Sequence, residues 1–552
     1  MSSVPLVSSP GFFTKERTVA GPAFSRWLVP PAALAIHLCI GMAYGFSVFW
    51  LPLSKAIGVT KSVACPKDFG IIDQIFASTC DWKISMLGWT YTLFFVFLGS
   101  AAAIMGGWLE RVGPRKAGVV SALCWCGGLV ISAFGVMIHQ IWLLWLGSGV
   151  IGGIGLGLGY ISPVSTLVKW FPDRRGMATG LAIMGFGGGA MIGAPLADRL
   201  MKVFATPTQV GVWQTFLVLA AGYFVFMMCG ALGYRVPPAN WKPAGWQGPR
   251  RSKLVSEGQV HVNVAWRTPQ FWLVWGVLML NVTAGIGILG MASPLLQEVF
   301  GGQLIGVTAS FDQLTPAQLS SIAAIAAGFT GLLSLFNIAG RIFWASLSDQ
   351  IGRQATYMVF FLVGLTLYAA IPWAASSDGS LALFVAFLCV ILSMYGGGFA
   401  TIPAYLADLF GDKMVSAIHG RLLTAWSTAG VLGPVLVNYV REYQLDHGVP
   451  RAQAYSVTMY VLAGLLAVGF VCNLFITPVP KKYFMTLKEL EALDRPTDGT
   501  AREVVSSVSN NAATAAMSPT WLVYAAWVPV AVPLLWAVGV TVQKAMLIFS
   551  QG

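Results

Sequence analysis

Gly106-Gly107-Trp108-Leu109-Glu110-Arg111-Val112-Gly113-Pro114-Arg115-Lys116 and Ala345-Ser346-Leu347-Ser348-Asp349-Gln350-Ile351-Gly352-Arg353 are two versions of one short pattern. In each, an acid is followed three residues later by glycine and then by basic side chains. Each copy lies between long apolar stretches and reads as a short loop joining two helices. The copies are almost half a chain apart. A pattern that recurs at that distance predicts two similar halves, a build shared by many membrane transporters.

Composition supports a membrane as the solvent. The chain has 552 residues, of which 56% are hydrophobic and 10% charged. Mean hydropathy is +0.73. A water-soluble domain carries roughly 25% charged residues. The 62 glycines suit helices that pack closely where no water drives them together. A net charge of +12 raises the question of nucleic acid. Basic residues beside spanning helices report orientation instead, so nucleic acid is not expected as a partner.

About twenty apolar residues cross the hydrocarbon. On that ruler the first half holds helices over 27–50, 86–106, 117–138, 141–168, 177–197 and 212–234. The second half holds helices over 270–293, 319–345, 355–375, 380–408, 420–440 and 455–477. The expected organisation is an arm at 1–26, a six-helix half at 27–234, a linker at 235–269 and a second six-helix half at 270–477. A polar segment follows at 478–519, and its Ser-, Ala- and Asn-rich part, Val504 to Ala515, reads as flexible. Residues 520–552 hold a further apolar stretch, Trp521 to Val542, which predicts a thirteenth helix. Pro529 and Pro533 interrupt it, so a hairpin or a surface segment is the other reading.

Lys and Arg set the orientation. The arm carries Lys15, Arg17 and Arg26, and the loop at 174–175 carries Arg174 and Arg175. The linker adds Arg235, Lys242, Arg250, Arg251, Lys253 and Arg267, and the 478–519 segment adds Lys481, Lys482, Lys488 and Arg495. All fall on one side of the predicted topology. That side, with the N-terminus, is expected to be cytoplasmic, and the chain to be a multi-pass protein of the plasma (inner) membrane. The connection after the first helix is an exception, with Lys55, Lys61, Lys67 and Lys83 set against Asp68, Asp73 and Asp81. Loops of that length cross regardless of charge. Cys65 and Cys80 fall in it, in a compartment that permits disulfides, and are expected to pair. The other six cysteines lie in apolar helices and read as packing residues.

The sequence carries no phosphate-binding Gly-Lys-Ser/Thr loop, and we expect neither an enzyme nor a cofactor. Gly185-Phe-Gly-Gly-Gly-Ala190 is glycine-rich but lies within the fifth predicted helix, which points to helix packing. Energy for any transport must then come from a gradient or from exchange. Ionisable residues inside the bilayer are costly and mark function. Arg341 lies two turns, roughly 12 Å, from Asp349 along the helix. A guanidinium grips a carboxylate with two parallel hydrogen bonds and keeps its proton. Asn337 is one turn away on the same face. His37 is a second buried polar residue, read either as a proton site or as hydrogen-bonded packing. Tyr44, Tyr160 and Tyr395 are candidates to line the same cavity.

The two acid-glycine patterns resemble the signature loops of the major facilitator superfamily. Trp170-Phe-Pro-Asp-Arg-Arg-Gly-Met-Ala-Thr-Gly180 and the glycine run after it are similar to the oxalate–formate antiporter family. So are Tyr395-Gly-Gly-Gly-Phe-Ala-Thr-Ile-Pro-Ala-Tyr-Leu-Ala-Asp-Leu-Phe-Gly411 and His419-Gly-Arg-Leu-Leu-Thr-Ala-Trp426. The resemblance covers about 20–477 and extends to monocarboxylate transporters. It implies an all-α membrane protein of the superfamily fold with two six-helix halves, to which the apolar stretch at the C-terminal end would add a thirteenth helix. It places Arg341 where relatives hold a carboxylate, Asn337 at a polar partner position and Tyr160 at a substrate-facing tyrosine. It also places Trp426 where the oxalate exchanger has a second cation. A dianion would then meet one fixed charge, so formate, lactate or pyruvate is expected over oxalate.

The resemblance implies alternating access about a site at Arg341, with substrate exchanged. Glu110, Arg111, Arg115, Asp349 and Arg353 are the expected gating residues. Two other readings stand beside exchange: proton-coupled symport, with His37 at issue, and a sensor or scaffold that binds carboxylates without moving them. Expected partners are small carboxylate anions and membrane lipid, with a proton in the symport reading. The last helix is a candidate contact for an oligomer or accessory subunit.

Overall fold

The computed structural model describes residues 12, 14–21, 23–59, 62–66, 68–238, 241–243, 245–246, 254, 256, 258–376, 380–494 and 518–550. Lys61, Lys67, Arg250, Arg251, Lys253, Arg495 and the stretch Val504 to Ala515 lie outside them. Among the described residues there is no strand, and eleven helices are long and apolar enough to cross a membrane.

The first half runs α1 (Val29–Ile40), α2 (Ile84–Val112), α3 (Pro114–Met137), α4 (Ile141–Trp170), α5 (Arg175–Phe204) and α6 (Val212–Gly233). The second runs α7 (Pro269–Phe300), α8 (Pro316–Ile351), α9 (Arg353–Ala374), α10 (Leu381–Phe410), α11 (415–446) and α12 (Ser456–Leu474). α13 is Thr520–Ser550. α1 continues as a 3-10 run over Gly41–Phe49, where a single regular helix is the sequence expectation. α11 is broken at Leu423 into Val415–Leu422 and Thr424–Asp446.

The acid-glycine patterns need a correction. They are not loops: Glu110 and Asp349 lie in the last turns of α2 and α8, which run on to Val112 and Ile351. Only the glycine leaves the helix. Gly113 and Gly352 take φ of 85° and 90°, a region that favours glycine, and the next helix starts at the following residue. A third copy went unread: Asp408 is followed by Gly411 at φ 83°.

The glycine run of α5 is a packing surface. A Cβ at Gly189 would collide with the α1 backbone at Leu38 and Gly41, and one at Gly41 would collide with Phe186. Backbones therefore meet here without side chains between them, as small residues allow in membranes. In the connection after α1, Cys65 and Cys80 are joined. Asp81 has a structural part in this connection. It is buried, and its carboxylate accepts the backbone N–H of Ile57 at 2.7 Å, Gly58 at 3.1 Å and Val63 at 2.8 Å.

α13 is one continuous helix through Pro529 and Pro533. It lies along the seam between the halves. Val530 and Ala537 pack with Leu34, Ala35, Met184 and Met191 of α1 and α5, and with Ile338 of α8. Arg199 of α5 lies over the Trp536 ring at 5.6 Å. At its start, the Ser25 N–H donates to Ser518 Oγ at 3.2 Å.

Candidate functional site

Arg341 stands in the middle of α8 and is 1% exposed. Its Nε donates to Asn337 Oδ1 at 3.2 Å, one turn back, and its Nη1 donates to Ile183 O of α5 at 2.8 Å. The guanidinium lies between the rings of Phe186 (6.0 Å) and Phe399 (5.8 Å), one from each half. Nη2 has no hydrogen-bond partner among the described residues. The arrangement fixes the orientation of the fork and leaves one donor over. A buried cation of this kind fits an anion held against aromatic walls.

Trp426 and Tyr160 complete the chamber, both at 0% exposure. The Trp426 ring centroid lies 4.5 Å from Phe399, 5.2 Å from Tyr160, 5.4 Å from Phe186 and 6.3 Å from Tyr44. Trp426 Nε1 and the Tyr160 hydroxyl have no partner among the described residues. Buried polar atoms left unpaired cost about 1–3 kcal/mol each. Three such atoms around one space, all able to donate, suit an oxygen-rich anion. The Tyr44 and Tyr395 hydroxyls meet across the two halves at 3.3 Å. Arg341, Asn337, Tyr160, Tyr44, Tyr395 and Trp426 therefore belong to one cluster between the halves.

His37 stands apart from it in one respect. Nδ1 lies 2.6 Å from Ala182 O and Nε2 lies 3.3 Å from Tyr160 O. Both nitrogens face backbone carbonyls, so the ring ties α1 to α4 and α5.

The gating residues divide. Glu110 pairs with Lys169 at 2.6 Å, and its other oxygen accepts the Ser416 N–H at 3.2 Å. Asp349 pairs with Arg353 at 2.6 Å and accepts the N–H groups of Gly176 at 2.9 Å and Met177 at 3.0 Å. Each acid thus caps the first turn of a helix in the opposite half: α11 for Glu110, α5 for Asp349. The unpaired N–H groups and positive dipole end of a helix start favour a carboxylate there. Arg115 is not part of this arrangement. It is buried and donates to Phe12 O at 3.1 Å and Tyr234 O at 3.4 Å, within the first half. Arg111 is exposed.

Sequence reasoning missed Arg175 and Asp408. Arg175, in the first turn of α5, reaches Asp408 and Asp412 across the halves, each at 3.3 Å. Asp408 also takes Arg353 Nε at 3.2 Å. The signal was present as the third acid-glycine spacing, Asp408 to Gly411. A further inter-half bond runs from Thr179 Oγ1 to Ala400 O at 2.6 Å, and Ser416 Oγ bonds Ser165 Oγ. The end of the bundle that carries the motifs is closed in this structure.

The Major Facilitator Superfamily model matches residues 34–434, and again 330–550. The chain belongs to the major facilitator superfamily. It is 24% identical over 415 residues to the oxalate:formate antiporter of Oxalobacter formigenes, covering 74% of this chain and 83% of that protein. It is 25% identical over 514 residues to apicoplast pyruvate carrier 1 of Toxoplasma gondii, covering 81% and 88%. Among solved structures, the human organic anion transporter MFSD10 superposes with a TM-score of 0.54 at 17% identity, covering 82% of this chain and all of that one. The superfamily assignment makes the chain a multi-pass membrane transporter.

Proposed function

We propose that this transporter exchanges small monocarboxylates by alternating access, with Arg341 as the carboxylate anchor. The observation that carries the reading is the buried Arg341 fork. It is oriented by Asn337 and Ile183, keeps a free donor, and is walled by aromatic rings. The named activities of the oxalate:formate antiporter and the pyruvate carrier support the substrate class. The closed motif end is the face we assign to the cytoplasm, because the N-terminal arm and the linker meet there (Ala20 N–H to Val236 O, 2.9 Å). The deciding experiment is flux in reconstituted vesicles with a panel of radiolabelled carboxylates. Uptake that requires internal substrate supports exchange. Uptake into empty vesicles driven by a pH gradient would replace exchange with symport.

One fixed cation in the chamber favours monoanions, because a second buried negative charge has no partner. Trp426 occupies the place a second cation would take. Trp426→Lys is therefore expected to shift preference towards dicarboxylates, at a cost in abundance from the lost ring contacts. The check is a competition assay of oxalate against lactate and formate in both proteins. A wild type that already moves oxalate fastest would end this account of Trp426.

α13 is proposed to cross the membrane. Its apolar span Thr520–Gln543 is 24 residues long, its most apolar 18 residues have a mean hydropathy of 1.9, and only 11% of those are buried within the protein. A protein truncated after residue 515 is expected to keep most of its flux and to lose abundance. A tag at Gly552, outside the described residues, is expected to label from outside the cell. Labelling from the cytoplasm alone would make the segment a hairpin or surface helix. Loss of all flux on truncation would make α13 part of the transport unit.

A further inference from the structure

His419 is 1% exposed, and neither of its ring nitrogens has a hydrogen-bond partner among the described residues. The other buried histidines behave differently. His37 faces two carbonyls, and His139 Nε2 lies 2.8 Å from Cys80 O. A structural imidazole thus finds partners in this protein, and one left with none is costly.

Its position suggests what it does. His419 belongs to Val415–Leu422, the part of α11 before the break. It precedes Trp426 by seven residues, across the break at Leu423. Tyr160 touches both rings, at 5.2 Å from Trp426 and 5.9 Å from His419, and its hydroxyl is also unpartnered. One turn on the other side, Ser416 is held by Glu110 and Ser165. Through Tyr160, His419 thus lies between Trp426, beside the Arg341 cluster, and the contacts that close the motif end.

We infer that His419 contacts the substrate, binding with Tyr160 the second oxygen-bearing group of a carboxylate whose charged group is held by Arg341. A neutral imidazole supplies one N–H donor and one lone pair, and a phenol supplies both from one oxygen. Together they match a hydroxyl or an oxo oxygen. The inference rests on the carboxylate reading above and narrows it to hydroxy- and oxo-monocarboxylates. Acetate and formate have no group for His419 to hold.

The test is exchange in reconstituted vesicles by wild type, His419→Gln and His419→Phe, with acetate, lactate, pyruvate and 3-hydroxybutyrate as substrates. His419→Phe is expected to raise KM for the last three by about tenfold, the effect of one lost hydrogen bond in an enclosed site, and KM for acetate by less than about twofold. His419→Gln, which keeps a donor and an acceptor, is expected to fall between. If His419→Phe does not reach the membrane, the same ratio is read in His419→Gln. An unchanged acetate-to-lactate ratio, or equal losses for all four substrates, overturns the inference. A wild type that moves no carboxylate overturns the underlying reading and this one with it.

Discussion

Arg341→Lys is expected to lower the proposed carboxylate exchange by about a hundredfold while the protein still inserts. The loss follows from geometry, not net charge. In wild type the guanidinium is held by two bonds, Nε to Asn337 Oδ1 and Nη1 to Ile183 O, with Nη2 left for the ligand. An ammonium is a compact, strongly hydrated charge on a flexible stem and cannot hold those two acceptors and a carboxylate in one plane. Two charge-assisted hydrogen bonds weakened or lost amount to about 3 kcal/mol, which is about a hundredfold. Arg341→Ala is expected to be dead, with the added penalty of a cavity between Phe186 and Phe399. Initial rates in vesicles, normalised to protein content, give the measurement. Near-normal rates in Arg341→Ala would remove Arg341 as the anchor and leave it a structural bond to Ile183.

Loss of both caps is expected to have the next largest effect. Glu110→Ala and Asp349→Ala together should shift the protein from motif-end closed towards motif-end open. Each acid holds the first turn of a helix in the opposite half, through Ser416 N–H and through Gly176 and Met177 N–H. A cap of this kind contributes about 1 kcal/mol, with up to about 1 kcal/mol from a carboxylate on the helix dipole. The ion pairs to Lys169 and Arg353 are part-exposed and add little more. The two caps lie far apart and should add, so the double variant is expected to move the balance by about tenfold or more. Ala400 is fully buried at the inter-half bond from Thr179 and suits a reporter. With Ala400→Cys in a background lacking the six free cysteines, maleimide labelling should rise by that factor. Labelling equal to that of the parent carrying both acids would show that Arg175, Asp408 and Thr179 close this end without the caps.

Periodicity and solvent logic made most of the fold legible. Spans must be apolar over about twenty residues, because lipid offers no partner for exposed backbone. The acid-glycine spacing repeats because each half needs the same break at the same place. Arg341 was legible for a related reason: a charge amid apolar residues is too costly to keep without use. The resemblance to carboxylate carriers then pointed to Tyr160 and Trp426, which composition and spacing do not single out.

Other features depend on contacts between residues far apart in the chain. Nothing near Glu110 or Asp349 in sequence indicates that each caps a helix of the other half, and their neighbouring arginines suggested simpler pairs. Arg115 looked like a gate and is instead bound to Phe12 and Tyr234. His37 was the histidine the sequence singled out, and its Nδ1 lies 2.6 Å from Ala182 O, whereas neither nitrogen of His419 has a partner among the described residues. Apolar pattern and charge are local properties, so the sequence by itself determined the spans, the twofold build and the presence of a cation within α8. Hydrogen-bond satisfaction depends on which backbone groups neighbouring helices present, so only the tertiary structure decided which polar side chains are fastened and which are left for a ligand.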